Sequence, residues 1–402
     1  MANLPADARA MPAVPAVPFV SLSSYYFFYY AFMGVFMPYF ALYLQKCGFS
    51  AIEIGLLMSI QQGMRLLAPN LWGWLADSLG RRLLIMRVAA VLSLAGFASI
   101  GLSKGFWSMA AAISTMSFFW TAQGPLAEAT VFAHLRGRHG YGAVRACGSF
   151  GFIVCVLGMG WWLQHADIHW VYEGGIISAL ALVAAGLFVP EGPLSHEKVS
   201  RAGFWKIVRE PNVLALLGIC MLMTAAHGAF NVFFSVHLVQ AGYAKGQVGM
   251  LWTLGVLAEI LVFLEAPRLM TRFSLKHLQL FALACAVLRF VTAGWWIDWV
   301  VVALVTQCMH GITFGVNHIA AISAISRRFT GPHQAQGQAL YGSVTAGAGG
   351  ILGSVASGWI WDAAGPAWAF TCCAGFAALG LLVMGLAYRE RATPASGAAS
   401  PV

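Results

Sequence analysis

Charged side chains are what this sequence has least of. Only 9% of its 402 residues are Asp, Glu, Lys or Arg, against about 25% in an ordinary soluble domain. So few charges cannot clothe a water-soluble surface of that size, which excludes a soluble globular fold. Paired cysteines are lacking too. The eight cysteines form no CxxC, and those in apolar runs read as small buried residues. The stretch HADIH (165–169) has HxxxH spacing but no acidic third ligand on the same helix. No metal site is therefore expected, and no cofactor. The glycine-rich GSVTAGAGGILGSVASG lacks a P-loop lysine, so ATP-driven chemistry has no support.

What the sequence has in abundance is apolar residues, 60% of the chain. They recur in runs of about 20, the length that crosses a bilayer as a helix. The runs lie near 19–44, 53–75, 83–102, 106–131, 143–163 and 170–189, then 211–239, 247–265, 275–297, 299–326, 337–361 and 366–388. The expectation is an all-α membrane protein with twelve transmembrane helices in two six-helix halves. A Pro/Ala-rich tail (1–18) precedes a first half at 19–190. The polar stretch EGPLSHEKVSRAGFWKIVRE (191–210) links it to a second half at 211–390, and 391–402 form a C-terminal tail. The run starting at Phe19 is too long for a signal-peptide core, so it is expected to remain as the first helix.

The net charge of +9 suggests a nucleic-acid partner until its distribution is read. With both termini placed in the cytoplasm, seventeen of the 23 Lys and Arg residues fall on that side. Lys46, Lys104 and Lys245 fall outside, and Arg65, Arg145 and Arg289 lie within helices. This is the positive-inside asymmetry of a multi-pass protein of a bacterial-type inner membrane. Its expected partners are the lipid bilayer, a small solute and a proton, with no nucleic acid. A monomer is the expected state.

Two six-helix halves suggest alternating access around a site near midplane. The loop after the second run, GWLADSLGRR (73–82), matches the G-x-x-x-D-x-x-G-R-R signature of the major facilitator superfamily at Gly73, Asp77, Gly80, Arg81 and Arg82. Gly73 would allow close helix approach and Gly80 a tight turn. Asp77 could meet a helix N-terminus, and the arginines would hold the inner surface. The matching loop of the second half, PRLMTRFSLK (267–276), has Thr271 in place of the aspartate. The chain resembles the phenylpropionate-permease branch of that superfamily, and more distantly lactose permease and the nucleoside–proton symporters. GVFMPYFALYL (34–44), GFSAIEIGLL (48–57) and YGAVRACGSFGF (141–152) carry the likeness in the first half. GMLWTLGVLAEILVF (249–263), HGITFGVNHIAA (310–321) and QALYGSVTAGAGGILGSVASG (338–358) carry it in the second. The resemblance implies a proton-coupled importer of a small organic solute, not an enzyme.

A charge at mid-bilayer costs roughly 2.5–3.5 kcal/mol even on lenient scales, so each one asks for a function or a partner. Glu259 is such a charge. Desolvation favours a neutral carboxyl and an approaching cation favours a charged one, and a proton site needs that switch. Glu259 is therefore the leading proton carrier, with Arg289, His310 and His318 as expected coupling partners. The resemblance to lactose permease implies the same helix-8 glutamate, helix-9 arginine and helix-10 histidine arrangement. Ala321 stands where that pattern has a second acid.

Glu128 and Arg145 are expected to pair, and the resemblance implies that Arg145 contributes to the solute site. Its planar fork suits a carboxylate or vicinal hydroxyls. His227, Asn231, Asn317, Tyr29 and Tyr30 complete the expected solute-binding set. Each has a bland alternative, as a satisfied histidine, a packing salt bridge or a core aromatic. Arg65 faces either the cavity or the cytoplasm, with Pro69 and Asn70 loosening its helix. An aromatic monocarboxylate such as 3-phenylpropionate is the leading solute. The alternatives are a neutral sugar or nucleoside, export instead of import, and a membrane enzyme or sensor, for which the short loops leave no room.

Overall fold

The structure, a computed structural model, describes residues 17–135, 139–192 and 203–390, without the side chains of Leu67, Asp77 and Pro332. Arg9, Arg136, Arg138, Lys198, Arg201 and Arg391, the tails to residue 16 and from 391, and most of the central linker lie outside these residues. Among the described residues there are twelve long helices and no strands. The first six are α1 (Phe19–Lys46), α2 (Ala51–Leu79), α3 (Arg82–Leu102, its last turn 3-10), α4 (Phe106–Leu135), α5 (Tyr141–Trp162) and α6 (Trp170–Phe188). After a short helix at Phe204–Val208 come α7 (Pro211–Gln240), α8 (Lys245–Arg272), α9 (Leu275–Trp296), α10 (Val300–Arg328), α11 (Gln334–Ala364) and α12 (Pro366–Leu386).

Ten of these are long and apolar enough to cross a membrane. The other two, α2 and α4, are as long but carry polar residues such as Gln61, Gln62 and Arg65, or Gln123 and Glu128. The outward surface is apolar, with Trp107, Phe150, Leu187 and Leu382 among its exposed side chains. That is the surface lipid requires, because lipid tails are as apolar as leucine. It also explains why only Cys220 and Cys373 are buried, while Cys47 and Cys308 are exposed and the other four are partly so. Facing lipid costs a thiol little.

The ends of the bundle differ. At the end carrying the α1–α2 and α11–α12 turns, the two sets of six helices are tied together. Both carboxylate oxygens of Asp362 on α11 accept from the first N–H groups of α2, Ala51 at 3.1 Å and Ile52 at 2.8 Å. Lys245 at the start of α8 donates to the Leu163 carbonyl after α5, at 3.2 Å. At the opposite end the polar contacts among the described residues run within one set. Arg87 caps the last carbonyls of α6, and Glu390 caps the first N–H groups of α9. Arg328 and Glu210 lie 3.5 Å apart. The bundle is thus latched at one end.

Gly80 closes α2 in the left-handed conformation, φ 60°, which lets Arg81 and Arg82 turn directly into α3. Arg82 reaches the Ala129 carbonyl of α4 at 3.4 Å. The close approach expected at Gly73 is not made, since a β-carbon there would meet nothing within 4 Å. Asp77 lies in the last turns of α2. Pro69 does not break α2, which runs on to Leu79.

Two helices are locally widened. Residues Gly311–Val316 of α10 and Ser343–Gly349 of α11 are π-helical, a geometry frequent at functional sites.

Candidate functional site

A cavity of about 290 Å³ lies between the two sets of helices. The first set supplies Tyr30, Met33 and Met37 from α1, and Arg145, Ser149 and Phe152 from α5. The second set supplies His227 and Asn231 from α7, Trp252 and Glu259 from α8, and Gln307, His310, Asn317 and His318 from α10. A smaller cavity of about 240 Å³ adjoins it, sharing Tyr30 and Arg145 and adding Tyr25, Tyr26, Tyr29, Glu128 and Tyr141. A mostly apolar hollow with a few converging polar groups is what a small-molecule site requires.

Glu259 reaches this cavity because it follows Trp252 and Gly255 on one face of α8, at i+7 and i+4. Its carboxylate lies 4.0 Å from His310 Nε2. His310, Phe314 and His318 stack along α10, with centroids 5.5 Å and then 5.7 Å apart and rings nearly parallel. The two histidines therefore share one wall, held apart by a phenylalanine.

Arg289 was expected beside the glutamate, and it lies elsewhere. It is 1% exposed and sits behind the cavity wall, its guanidinium 4.3 Å over the Phe230 ring. Its Nε donates to the Thr306 carbonyl at 2.7 Å and Nη1 to the Thr313 hydroxyl at 2.9 Å. The Thr313 hydroxyl also lies 3.4 Å from Nε2 of His227, whose Nδ1 donates to the Met223 carbonyl at 2.8 Å. Arg289 thus meets the cavity through the lining residues Thr313 and Phe230 and does not line it itself. The buried face of α9 points into the second half, not at its seam with the first.

The expected ion pair between Glu128 and Arg145 is not formed. Tyr141, at the start of α5, donates its hydroxyl to Glu128 at 2.7 Å. Arg145, one turn further, holds its guanidinium over the Tyr30 ring, 4.3 Å from the centroid. Both line the smaller cavity, but among the described residues Arg145 has no hydrogen bond or ion pair. Its N–H edges are therefore free where the two cavities meet.

Tyr29 stacks on Trp120, centroids 4.8 Å apart and planes at 8°, and lines the smaller cavity alone. His227, Asn231 and Asn317 line the larger one. Phe234, on the same stripe as His227 and Asn231, is core. Arg65 is partly buried on α2 and lines neither cavity. Gly73, Asp77, Gly80, Arg81 and Arg82 lie at the α2–α3 turn, away from both. Sequence reasoning missed Gln307 and Thr313. Gln307 carried a usable signal, a polar residue three before His310 on the same helix face.

The fold and this central cavity define a membrane transporter. Residues 19–372 match the MFS_1 like family, and the chain belongs to that family. It is 26% identical over 358 residues to the "Probable 3-phenylpropionic acid transporter" of Escherichia coli (strain K12), covering 84% of this chain and 89% of that one. It is 24% identical to the "Maltose permease" of Geobacillus stearothermophilus, covering 91% and 94%. Among solved structures, the nucleoside transporter NupG superposes with a TM-score of 0.81 at 16% identity, over 93% of this chain and 99% of that one. The protein is a multi-pass membrane transporter of small solutes and not an enzyme.

Proposed function

We propose that the protein is a proton-coupled symporter that brings a small organic solute inward, with an aromatic monocarboxylate such as 3-phenylpropionate as the leading solute. The observation that carries this reading is the pairing of charges across the cavity. Arg145 offers unpaired N–H groups from one wall, and Glu259 stands on the other with His310 at 4.0 Å. A carboxylate entering between them gains the arginine and finds aromatic surface from Phe152, Phe230 and Trp252 around its ring. Proton exchange at Glu259 then keeps the opposite wall neutral while the anion is held.

The positive-inside bias supports an inner membrane with both termini cytoplasmic. In that orientation the latched end faces outward, so the cavity belongs to an inward-facing state, and the α2–α3 motif stands on the cytoplasmic side. The halves 19–190 and 211–390 would rock about the site as two bodies.

The relative named for maltose favours a second reading, a neutral hydroxylated solute, in which Glu128 and Arg145 would read hydroxyls. Counterflow in proteoliposomes separates the two. Purified protein is loaded with 3-phenylpropionate, maltose or uridine, and uptake of the labelled partner is followed for wild type and Arg145→Ala. The anion reading expects exchange of the acid alone, and a KM raised about tenfold or more, about 1.4 kcal/mol, in the variant. Exchange of a neutral solute with none of the acid overturns it.

A further inference from the structure

Among the described residues, Gln307 is the one side chain of the larger cavity with two buried polar atoms that both lack a hydrogen-bond partner. It is 1% exposed, lines the cavity, and neither Oε1 nor Nε2 has a hydrogen-bond partner. Buried polar atoms are nearly always paired, and those that are not require an explanation. On α8 the facing residue is Gly255, where a β-carbon would lie 2.9 Å from Gln307 Oε1, so the carboxamide would have to swing aside for any larger residue. Two more unpartnered atoms stand on the same helix and in the same cavity, His310 Nδ1 and Asn317 Oδ1.

We infer that Gln307 reads a hydroxyl group on the transported solute, at the end remote from Arg145. The chemistry of the carboxamide selects the partner. It offers an acceptor oxygen and two N–H donors. A carboxylate can only accept, and would leave Oε1 unanswered. A hydroxyl donates and accepts, and satisfies both atoms. Arg145 and Gln307 come from α5 and α10, on opposite sides of the seam, so one solute spanning the cavity meets both. The inference rests on the transport reading for its acid end. It adds that the preferred aromatic acid is hydroxylated on its ring.

The test uses the full-length protein in detergent and in proteoliposomes, with Gln307→Met as a near-isosteric apolar variant. Removing an unpaired buried carboxamide relieves its desolvation cost, so the ligand-free variant is expected to melt about 2 °C or more above wild type. Wild type is expected to bind 3-(4-hydroxyphenyl)propionate about tenfold or more tighter than 3-phenylpropionate, and the variant to bind the two alike. A lower melting temperature in the variant overturns the inference, because the carboxamide is then already paired within the protein. So does a wild-type preference for the unhydroxylated acid. If neither acid binds, the aromatic-acid reading fails by itself and uridine and maltose form the second arm. Binding of either that weakens about tenfold in Gln307→Met supports the hydroxyl role of Gln307. Binding that does not change, or no binding of either, overturns it.

Discussion

Replacing Asp362 with alanine removes both acceptors that join α11 to the start of α2. Helix N-termini leave their first N–H groups without internal partners, and a carboxylate there also meets the positive end of the helix dipole. A hydrogen bond to a charged group contributes about 1.5–3 kcal/mol when shielded from water. Asp362 is largely exposed, so the two bonds together are taken at about 1–2 kcal/mol, a shift of about 5- to 30-fold between two states. The side chain crosses from one set of helices to the other, and an outward-open state must break it. The variant should therefore fold normally and move the population toward opening at this end. Spin labels on the α1–α2 and α11–α12 turns would report a longer mean distance, and hydrogen exchange at Ala51 and Ile52 would accelerate. Asp362→Asn, which keeps one acceptor oxygen, should fall between. An unchanged distance distribution with unchanged exchange would refute the idea that this carboxylate latches the closed end.

Three further outcomes follow from the packing and the charges. Gly151→Ala should lower the melting temperature in detergent by several degrees, since a β-carbon there collides with the Phe27 carbonyl of α1 and overpacking costs about 1–3 kcal/mol. Arg289→Lys keeps a charge, but an ammonium cannot hold the Thr306 carbonyl and the Thr313 hydroxyl while lying over Phe230. A loss of about 1–3 kcal/mol should appear as a lower melting temperature and at least tenfold slower uptake. A potassium–valinomycin potential distinguishes the solute classes. One proton with a monoanion moves no net charge and should be indifferent to it, whereas one proton with a neutral solute gains about 2.3 kcal/mol per 100 mV.

The helices were legible because the bilayer demands long apolar runs, and each observed helix overlaps its run to within a few residues, the long α2 and α8 extending furthest. Glu259 was legible for the same reason, as a lone carboxylate in an apolar stretch. The partners were not. Glu128 takes its hydrogen bond from Tyr141, a residue that looks like any aromatic at a helix start. Arg145 then spends its charge on the face of Tyr30, a contact set by the rotation of α1 against α5. Arg289 carries the strongest charge signal of its helix, yet that signal could not say whether it faced the seam or the interior of its own half. Gln307 has no charge to draw the eye, and its importance comes from the partners it lacks. The two π-helical segments leave no mark in hydropathy, although the glycines at 311 and 315 permit the close packing of α10 on α8.

Proton movement tied to Glu259 is the most direct test of the account. Purified protein would be placed in liposomes with a pH-sensitive dye inside. 3-Phenylpropionate, its 4-hydroxy derivative, maltose and uridine would be added in turn to wild type and Glu259→Gln. Solute-dependent acidification of the lumen in wild type, abolished in the variant while solute binding persists, is the expected result. Solute uptake with no proton entry, or proton entry that survives the substitution, would contradict it.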